Sequence, residues 1–259
     1  MDKLARIGPD LNAFTLQFDE SLLDGIRDSY HRELHSILTN PQNQRLFAGG
    51  REIRQAFGAP PNEYFLVSFL SYPLLWLSCN TPQTYQVYQR FFDGLGIENE
   101  LKKLVDHDAK IVLYCGFLVA SYRSPGHSWH LDYLPDANAY SLLTPLFELD
   151  PGHGNLLYKV GDKVNSHGYE VGEAIMFGDK FMHCTEPYED TGHLRVLVSL
   201  QFGTDKMKYW NTLRQTIESQ SNFLILPCGH RLGTCQCAGQ DPSTSEVERV
   251  ISGFPLSRE

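Results

Sequence analysis

The sequence predicts an α+β fold whose core is mainly β, with helices before and after it along the chain. Between residues 111 and 203, short β-type runs follow one another without an intervening helical pattern. Helical periodicity occupies much of residues 1–110 and returns after residue 204. A chain of 259 residues with 42% hydrophobic content is long enough for one large domain with a real core. We therefore predict a single domain over residues 1–259, with helical support in 1–110, a β core in 111–203, and a C-terminal helix and tail in 204–259.

The first predicted element is an amphipathic helix over residues 19–39, in which apolar residues recur every four positions. Ser21 and Asp24 resemble a capping box at its start. Pro41 is expected to end the helix. Residues 46–61, which contain Gly, Arg and Pro, are expected to form a surface connector.

Residues 64–77 are dense in aromatic and aliphatic side chains and are expected to be core. Pro73 interrupts the run, so periodicity alone leaves a buried helix and an extended strand equally open. Two further helices are predicted over residues 82–92 and 99–107, on either side of Gly94-Leu95-Gly96. These helices should pack on a sheet.

Turn residues such as Pro-Gly, Asp-Pro-Gly and Gly-Asp separate the β-type runs. The predicted strands cover residues 111–122, 129–134, 140–148, 155–160, 173–177, 181–187 and 193–202. Strands that follow one another in this way predict an antiparallel sandwich or barrel. The last predicted helix, within residues 205–223, carries an apolar stripe expected to cover the sheet, formed by Met207, Trp210, Leu213 and Ile217.

Charge and composition limit the partners. A formal charge of −9 and a pI near 5.5 offer no broad basic surface for nucleic-acid phosphates or anionic lipids. No apolar run reaches the roughly 18 residues that a membrane-spanning helix needs. The six cysteines are expected to be reduced thiols or metal ligands. We expect a cytoplasmic protein with no nucleic-acid or membrane partner.

Three residues are predicted to bind a metal. His130 and Asp132 lie two apart in a predicted strand, so their side chains should share one face. His183 follows a strand and a tight turn that should return it to the first two ligands. Two histidines and one carboxylate form a facial triad, the arrangement typical of non-haem Fe(II). The similar pair in His31-Arg32-Glu33 is rejected, because residues two apart on a helix do not share a face.

Arg195 supplies a second chemical requirement. A guanidinium is always charged and binds a carboxylate through two hydrogen bonds, so it can anchor one end of a dicarboxylate whose other end chelates the metal. Arg195 opens an otherwise apolar strand, which predicts burial beside a charged partner. Ser199 shares its face and is a candidate for a further hydrogen bond.

The pattern His130-x-Asp132, His183, Arg195, on a strand-rich segment of roughly residues 111–202, resembles the Fe(II)/2-oxoglutarate-dependent dioxygenase superfamily. The resemblance implies a double-stranded β-helix, the jelly-roll or cupin-like fold. It implies that His130, Asp132 and His183 bind Fe(II) and that Arg195 holds the distal carboxylate of 2-oxoglutarate.

By the same resemblance, O₂ would decarboxylate 2-oxoglutarate to succinate while a substrate C–H bond is hydroxylated, with desaturation or cyclisation left open. The carboxylate of Asp132 disfavours halogenation, because halogenating relatives have a small residue at that position.

The remaining candidates are less specific. Tyr114 and Tyr122 share one face of the strand before the ligands and are candidates for donating to the cosubstrate carboxylate, although a packed sheet tyrosine is the alternative for each. Four residues beside the first ligands are candidates for lining a substrate pocket: Arg123, His127, Trp129 and Tyr133.

We expect the substrate to be a small-molecule metabolite. A protein or peptide side-chain hydroxylase is the first alternative, and a metal-binding jelly-roll protein without catalysis is the second. The oligomeric state cannot be predicted from the sequence.

A second metal site is predicted near the C-terminus. Cys228-x-His230 and Cys235-x-Cys237 place four soft ligands in a Gly-rich loop that could hold a structural Zn²⁺. The spacing is tighter than the usual two-residue gap, and free surface thiols are the alternative. Cys79, Cys115 and Cys184 lie in apolar contexts and are expected to be core thiols.

Overall fold

The computed structural model describes residues 3–48, 50, 52–69 and 72–237. The strands in chain order are β1 (Ala5–Arg6), β2 (Ala13–Gln17), β3 (Ile53–Phe57), β4 (Tyr64–Ser68), β5 (Leu74–Cys79), β6 (Val112–Ser121), β7 (Ala139–Pro145), β8 (Leu156–Val160), β9 (Lys163–His167), β10 (Glu173–Phe177), β11 (His183–Thr185) and β12 (Arg195–Gly203). The α-helices are α1 (Asp24–Tyr30), α2 (Ser36–Leu38), α3 (Pro82–Leu95), α4 (Glu98–Leu101) and α5 (Trp210–Gln220).

The strands of this part of the chain form two antiparallel sheets. The larger has the order β1-β2-β10-β7-β12-β6-β5-β4-β3, and the smaller has the order β11-β8-β9. From β6 onward the chain passes repeatedly between them: β6, β7, β10 and β12 lie in the large sheet, and β8, β9 and β11 in the small one. A single bridge between His130 and His183 adds the segment before β7 to the small sheet. This alternation defines a double-stranded β-helix, so the predicted fold class is confirmed.

The predicted N-terminal helix is confirmed as one continuous helical segment that combines 3₁₀, α and π geometry. A 3₁₀ turn (Glu20–Leu23) leads into α1, and a π-helix (His31–His35) joins α1 to α2. The predicted capping box is wrong, because the Asp19 carboxylate caps the run by accepting from the Ser21 backbone N–H at 3.0 Å. Another 3₁₀ helix (Pro41–Phe47) begins immediately after it.

Residues 1–110 supply more than helical support. They contribute β1 to β5 to the large sheet, and the predicted surface connector over residues 46–61 contains β3. The ambiguous segment 64–77 contains β4 and the start of β5, whose register places Leu74 opposite Ser121 of β6. Extended structure prevails there because aromatic and aliphatic side chains pack well on both faces of a covered sheet.

The two helices predicted around the glycine pair differ in outcome. The first is α3, which runs through Leu95 and ends at Gly96 with a φ of 59°, a left-handed conformation that glycine adopts without strain. The second, predicted over residues 99–107, is only the single turn α4.

In the second half, one predicted strand is wrong and one observed strand was not predicted. Residues 129–134 form no ladder beyond the His130–His183 bridge. The chain then turns through Asp136 and Asn138, whose φ values of 61° and 53° are left-handed and incompatible with a continuing strand. The opposite error is β9, an exposed strand in a stretch without the apolar alternation that identifies a half-buried one.

The large sheet separates two apolar clusters. On one face, Val196, Val198, Leu200 and Phe202 of β12 join the main core with α3. The helix α3 packs closely on this face of the sheet, since a Cβ at Gly116 of β6 would lie 2.3 Å from Cγ of Tyr88 of α3. Full burial of such large apolar side chains stabilises the fold by about 1.5–3 kcal/mol each.

The other face of the large sheet is turned toward the small one. Leu143 and Ile175 of neighbouring strands pack there with Phe177 and Phe181 in a smaller cluster. This space between the sheets also contains the candidate metal centre.

The predicted C-terminal helix is confirmed as α5, after a 3₁₀ turn (Met207–Tyr209). Trp210, Leu213 and Ile217 are buried, as the predicted stripe requires, and Met207 is partly buried against the core. None of the helices described has the length and apolar character to cross a bilayer.

Candidate metal centre

The two candidate histidine ligands are brought together by backbone pairing. The N–H of His130 donates to the carbonyl of His183 at 2.9 Å, and the reverse bond measures 3.0 Å. The imidazole centroids lie 4.3 Å apart. Residues distant in sequence are therefore held side by side by a reciprocal pair of hydrogen bonds.

Backbone carbonyls orient both imidazoles. Nδ1 of His130 lies 2.7 Å from the Ser128 carbonyl, and Nδ1 of His183 lies 2.9 Å from the Phe181 carbonyl. Each Nδ1 must carry a hydrogen to make these bonds, which leaves the Nε2 lone pair available to a metal. The same Asp132 oxygen, Oδ1, lies 3.5 Å from Nε2 of His130 and 3.7 Å from Nε2 of His183.

Asp132 is held from two sides. The Ser141 hydroxyl of β7 donates to its Oδ2, and the Thr216 hydroxyl of α5 donates to its main-chain carbonyl at 2.6 Å. Because no regular strand is present here, these contacts, and not strand alternation, place Asp132 beside the histidines. One ligand atom from each of the three side chains lies within 4.8 Å of the others, so the triad can hold a metal ion.

The charge state of the metal-free triad suits a cation. Burial acts to raise the pKa of Asp132, but hydrogen bonding with His130 and Ser141 and the charge of the imidazoles lower it to about 2. Burial, together with the charge of the neighbouring His130, lowers the pKa of His183 to about 4. Burial also acts to lower the pKa of His130, but its contacts with Asp132 leave that pKa above the ordinary value. Near neutral pH the site therefore contains a carboxylate and a neutral His183, with His130 the remaining place for a proton that a metal would displace.

Arg195 lies on the same face of the large sheet as the inner apolar cluster. Ser199 of β12 is opposite Leu143 of β7, which is opposite Ile175 of β10. Since alternate residues share a face, Arg195 projects toward the cluster that contains Leu143 and Ile175. The triad reaches that cluster too, because the His183 ring lies 4.5 Å from the ring of Phe177.

The guanidinium of Arg195 is buried, and two of its nitrogens lack a hydrogen-bond partner among the described residues. The residue is 2% exposed, and its Nε and Nη2 have no hydrogen-bond partner within the described part of the chain. Aromatic rings surround it: its Cζ lies 5.1 Å from the Tyr169 centroid and 5.9 Å from that of Tyr188. The Tyr188 hydroxyl forms a hydrogen bond with the Ser121 hydroxyl at 2.7 Å. Burying such a charge unpaired costs several kcal/mol, so this position fits an anionic ligand.

These donors together meet the requirements of Fe(II) and 2-oxoglutarate. The nitrogen and oxygen ligands of the triad suit a non-haem iron and leave coordination positions open. The unpaired Nε and Nη2 of Arg195 form the two-pronged donor that a carboxylate accepts. Ser199 is buried on the same face, where the predicted strand alternation placed it.

Three predicted site tyrosines lie elsewhere. The Tyr114 hydroxyl donates to the Thr204 carbonyl at 2.7 Å, at the far end of β6 from Arg195. Tyr122 packs edge-on against Phe47 and its hydroxyl lies 3.5 Å from the Leu38 carbonyl. Neither therefore faces the guanidinium.

Tyr133 is 2% exposed and is not a pocket residue. Its hydroxyl donates to the Tyr140 carbonyl at 3.1 Å and lies 3.4 Å from the Ser141 hydroxyl. It supports the serine that holds Asp132.

The other three substrate candidates lie outside the core. Arg123 and His127 are exposed, and the His127 and Trp129 rings are parallel with centroids 6.2 Å apart. Nζ of Lys159 lies 4.7 Å from the Trp129 centroid. His127, Trp129 and Lys159 thus form a polar and aromatic surface beside His130.

Sequence reasoning missed Ser141, Thr216, Tyr169 and Tyr188. Each is a common strand, helix or loop residue whose role appears only when the fold brings it to its partner, whether that partner is close along the chain, as Asp132 is to Ser141, or distant, as Asp132 is to Thr216. The four C-terminal ligands predicted for zinc do converge: one ligand atom from each lies within 4.8 Å of the others.

No protein-family model matches this chain, and no curated protein matches its sequence. Among solved structures, the chain is similar to SnoN, a non-haem α-ketoglutarate-dependent epimerase from nogalamycin biosynthesis (TM-score 0.49, 10% identity, 75% of this chain and 79% of that one). It is similar to HygX from Streptomyces hygroscopicus with nickel and 2-oxoglutarate bound (0.45, 12%, 75% and 83%). It is also similar to EctD from S. alaskensis with bound Fe (0.47, 10%, 79% and 82%). These likenesses are remote, and the chemistry proposed below rests on this chain's own side chains.

Proposed function

We propose that this chain is an Fe(II)- and 2-oxoglutarate-dependent oxygenase that hydroxylates, desaturates or cyclises a small-molecule metabolite, with conversion of 2-oxoglutarate to succinate. The observation that carries the proposal is Arg195, a buried guanidinium with two unpaired donors on the inner face that also borders the metal triad. A metal-binding protein without a dicarboxylate cosubstrate would have no use for that buried charge.

Each residue has a distinct role in this scheme. His130, Asp132 and His183 would hold Fe(II), because the carbonyls of Ser128 and Phe181 orient the imidazoles through Nδ1 and leave Nε2 as the ligand atom of each. Iron and 2-oxoglutarate, when bound, supply the oxygen activation and C–H oxidation. Ser141 and Thr216 keep Asp132 in place, so the carboxylate does not have to reorganise when the metal enters.

Arg195 binds the distal carboxylate of 2-oxoglutarate and so sets its orientation relative to the metal. The Tyr169 and Tyr188 rings border the guanidinium and keep it out of water, which strengthens its attraction for an anion. Phe177 and Phe181 pack against His183 and exclude water from the same interior.

The substrate would approach from the side of His127, Trp129 and Lys159. A cation above an indole ring, beside a second aromatic ring, suits a polar or anionic small molecule. HygX has been solved with hygromycin B bound, a small-molecule ligand of that protein. A protein or peptide side chain is the alternative substrate.

The test uses the full chain with Fe(II) and 2-oxoglutarate, first without oxygen. We expect a metal-to-ligand charge-transfer band in the visible spectrum when 2-oxoglutarate is added, and succinate formation when oxygen and ascorbate follow. His183→Ala should abolish both signals. His31→Ala is the matched control, because that exposed histidine belongs to the rejected His-x-Glu pair and should change neither.

Absence of both the band and succinate from folded, iron-loaded protein would contradict the proposal. Binding of iron without 2-oxoglutarate would instead support a metal-binding protein that is not an oxygenase. Succinate release in the presence of candidate metabolites, compared with candidate peptides, distinguishes the two substrate classes.

A further inference from the structure

A second cluster of metal-ligating side chains lies in residues 224–237, which we name the C-terminal loop. Leu226 and Leu232 donate backbone N–H bonds to His230 and Leu224, each at 2.8 Å, which makes the start of the loop a narrow hairpin. Gly229, with a φ of 82°, forms the turn between Cys228 and His230. The two ligands therefore flank one tight turn.

A second turn returns the chain to the first pair of ligands. Thr234 donates to the Arg231 carbonyl at 3.1 Å, and Gly233 also has a φ of 82°. Cys235 and Cys237 follow this turn directly. Left-handed glycines at both turns bring the two Cys-x-ligand pairs face to face, although their sequence spacing is tighter than in common zinc motifs.

Three of the separations between ligand atoms are close to those expected around one ion. Sγ of Cys228 lies 3.6 Å from Sγ of Cys235, and Nδ1 of His230 lies 3.3 Å from Sγ of Cys237 and 3.9 Å from Sγ of Cys235. A tetrahedral Zn²⁺ with Zn–S bonds of about 2.3 Å and Zn–N bonds of about 2.0–2.1 Å separates its ligands by about 3.5–3.8 Å. These three separations are close to that range, and all four ligand atoms lie within 4.8 Å of one another, so a modest contraction of the cluster would enclose such an ion.

Other uses of the cluster fit less well. A disulfide requires sulfurs about 2.0 Å apart, so Cys228 and Cys235 are not bonded at 3.6 Å. The Cys237 backbone N–H donates to the Cys235 sulfur at 3.4 Å, a contact that favours a thiolate. Three thiolates and an imidazole are soft ligands, which select Zn²⁺ over oxygen-preferring cations such as Mg²⁺.

We propose that Cys228, His230, Cys235 and Cys237 form a structural Cys₃His zinc site that holds the C-terminal loop in the conformation in which it pairs with β6. This inference does not depend on the proposed oxygenase function. The four ligands fill a tetrahedral site completely, which is typical of structural and not of catalytic zinc.

The position of the loop gives the zinc a mechanical role. The pairing of β5 with β6 ends at Ser78 opposite Phe117, and the N–H of Ile225 binds the Tyr114 carbonyl at 2.9 Å, just beyond that end. Leu224 and Leu226 are buried in the main core. The loop thus covers part of the β6 edge that β5 leaves open, and the zinc would stabilise it there.

The test is zinc analysis of the full chain carrying His183→Ala, so that the triad cannot supply a second site. We expect one zinc per chain after dialysis, and none when Cys235→Ser or Cys237→Ser is added. Cys79→Ser is the matched control, because it removes a core thiol outside the cluster and should keep the zinc. Removal of zinc with a strong chelator should lower the melting temperature of the His183→Ala chain, with no further change in the Cys235→Ser chain.

Cobalt gives a readout that does not depend on the cysteine variants folding. Co²⁺ added to the reduced, metal-free His183→Ala chain should produce a sulfur-to-cobalt charge-transfer band and the visible bands of tetrahedral cobalt. The proposal would be overturned if folded, metal-free protein showed none of these bands when Co²⁺ is added. It would also be overturned if the intact mass of the purified chain were two hydrogens lower than that of the reduced chain, which would show a disulfide.

Discussion

Replacing Arg195 by Met should weaken 2-oxoglutarate binding and stabilise the ligand-free chain, because the buried guanidinium favours that binding and opposes that stability. The native side chain holds Nε and Nη2 ready for an anion and leaves them unpaired when none is bound. Each hydrogen bond between a charged donor and a carboxylate contributes about 1.5–3 kcal/mol. Losing two such bonds should weaken 2-oxoglutarate binding by about 3–6 kcal/mol, which corresponds to roughly 10²- to 10⁴-fold.

Stability should change in the opposite direction. Methionine is apolar and of comparable length, so Arg195→Met removes an uncompensated buried charge and retains most of the packing. Replacing buried ionic groups by apolar residues of similar volume often stabilises a protein by about 1–4 kcal/mol. The ligand-free variant should therefore unfold at a higher urea concentration than the native chain, while its metal affinity stays close to native.

The measurements are 2-oxoglutarate titrations of the manganese-loaded chain by calorimetry and urea unfolding of the metal-free chain. Arg32→Met is the control, because that guanidinium is 57% exposed and should change neither quantity. Native 2-oxoglutarate affinity in Arg195→Met would refute the assignment of this side chain. Equal losses of metal and 2-oxoglutarate binding would show that the substitution acts through the fold.

Three other perturbations have defined outcomes. Ser141→Ala removes the hydrogen bond to the carboxylate ligand of the triad and should lower metal affinity about 10- to 100-fold, measured by competition with a chelating dye. Burial lowers the pKa of His153 below its usual 6.5, so the stability that the neutral imidazole contributes is present above that pH and is lost as the pH falls below it. Urea unfolding at about pH 7 and 5 should therefore show a smaller decrease in the free energy of unfolding for His153→Gln than for the native chain. Gly116→Ala would overlap Tyr88 and should lower the free energy of unfolding by about 1–3 kcal/mol, whereas Gly25→Ala, in open space on α1, should not lower it.

The strands of the β core were largely predictable because their side chains alternate between two apolar environments or are buried on both faces. The runs that became β6, β7, β10 and β12 have this character over several residues. The failures lie where local pattern and tertiary environment disagree. The exposed strand β9 lacks an apolar face, and β3 has exposed side chains at three of its five positions.

The candidate metal ligands were selected by residue type and order, but the local geometry used to justify them was wrong. His130 and Asp132 converge through a loop held by His183, Ser141 and Thr216, and not through strand alternation. The contacts from His183 and Thr216 join residues far apart along the chain. Ser141 is close to Asp132 in sequence, but no local pattern marks this serine as the partner of the carboxylate. The C-terminal ligand cluster was visible as a spacing pattern, whereas its tetrahedral separations depend on two left-handed glycines.

The hydrogen bond from Thr216 of α5 to the Asp132 carbonyl has a consequence for biosynthesis. A ribosome releases the chain from its N-terminus, so the loop of the first two ligands emerges well before the helix that anchors it. β2 likewise waits for its partner β10. A nascent chain lacking α5 already contains all three candidate ligands but lacks the hydrogen bond that anchors Asp132. Iron that binds during translation would therefore meet a less rigid and less selective site than the finished protein offers. The full metal selectivity should be reached only after the whole chain has been released from the ribosome.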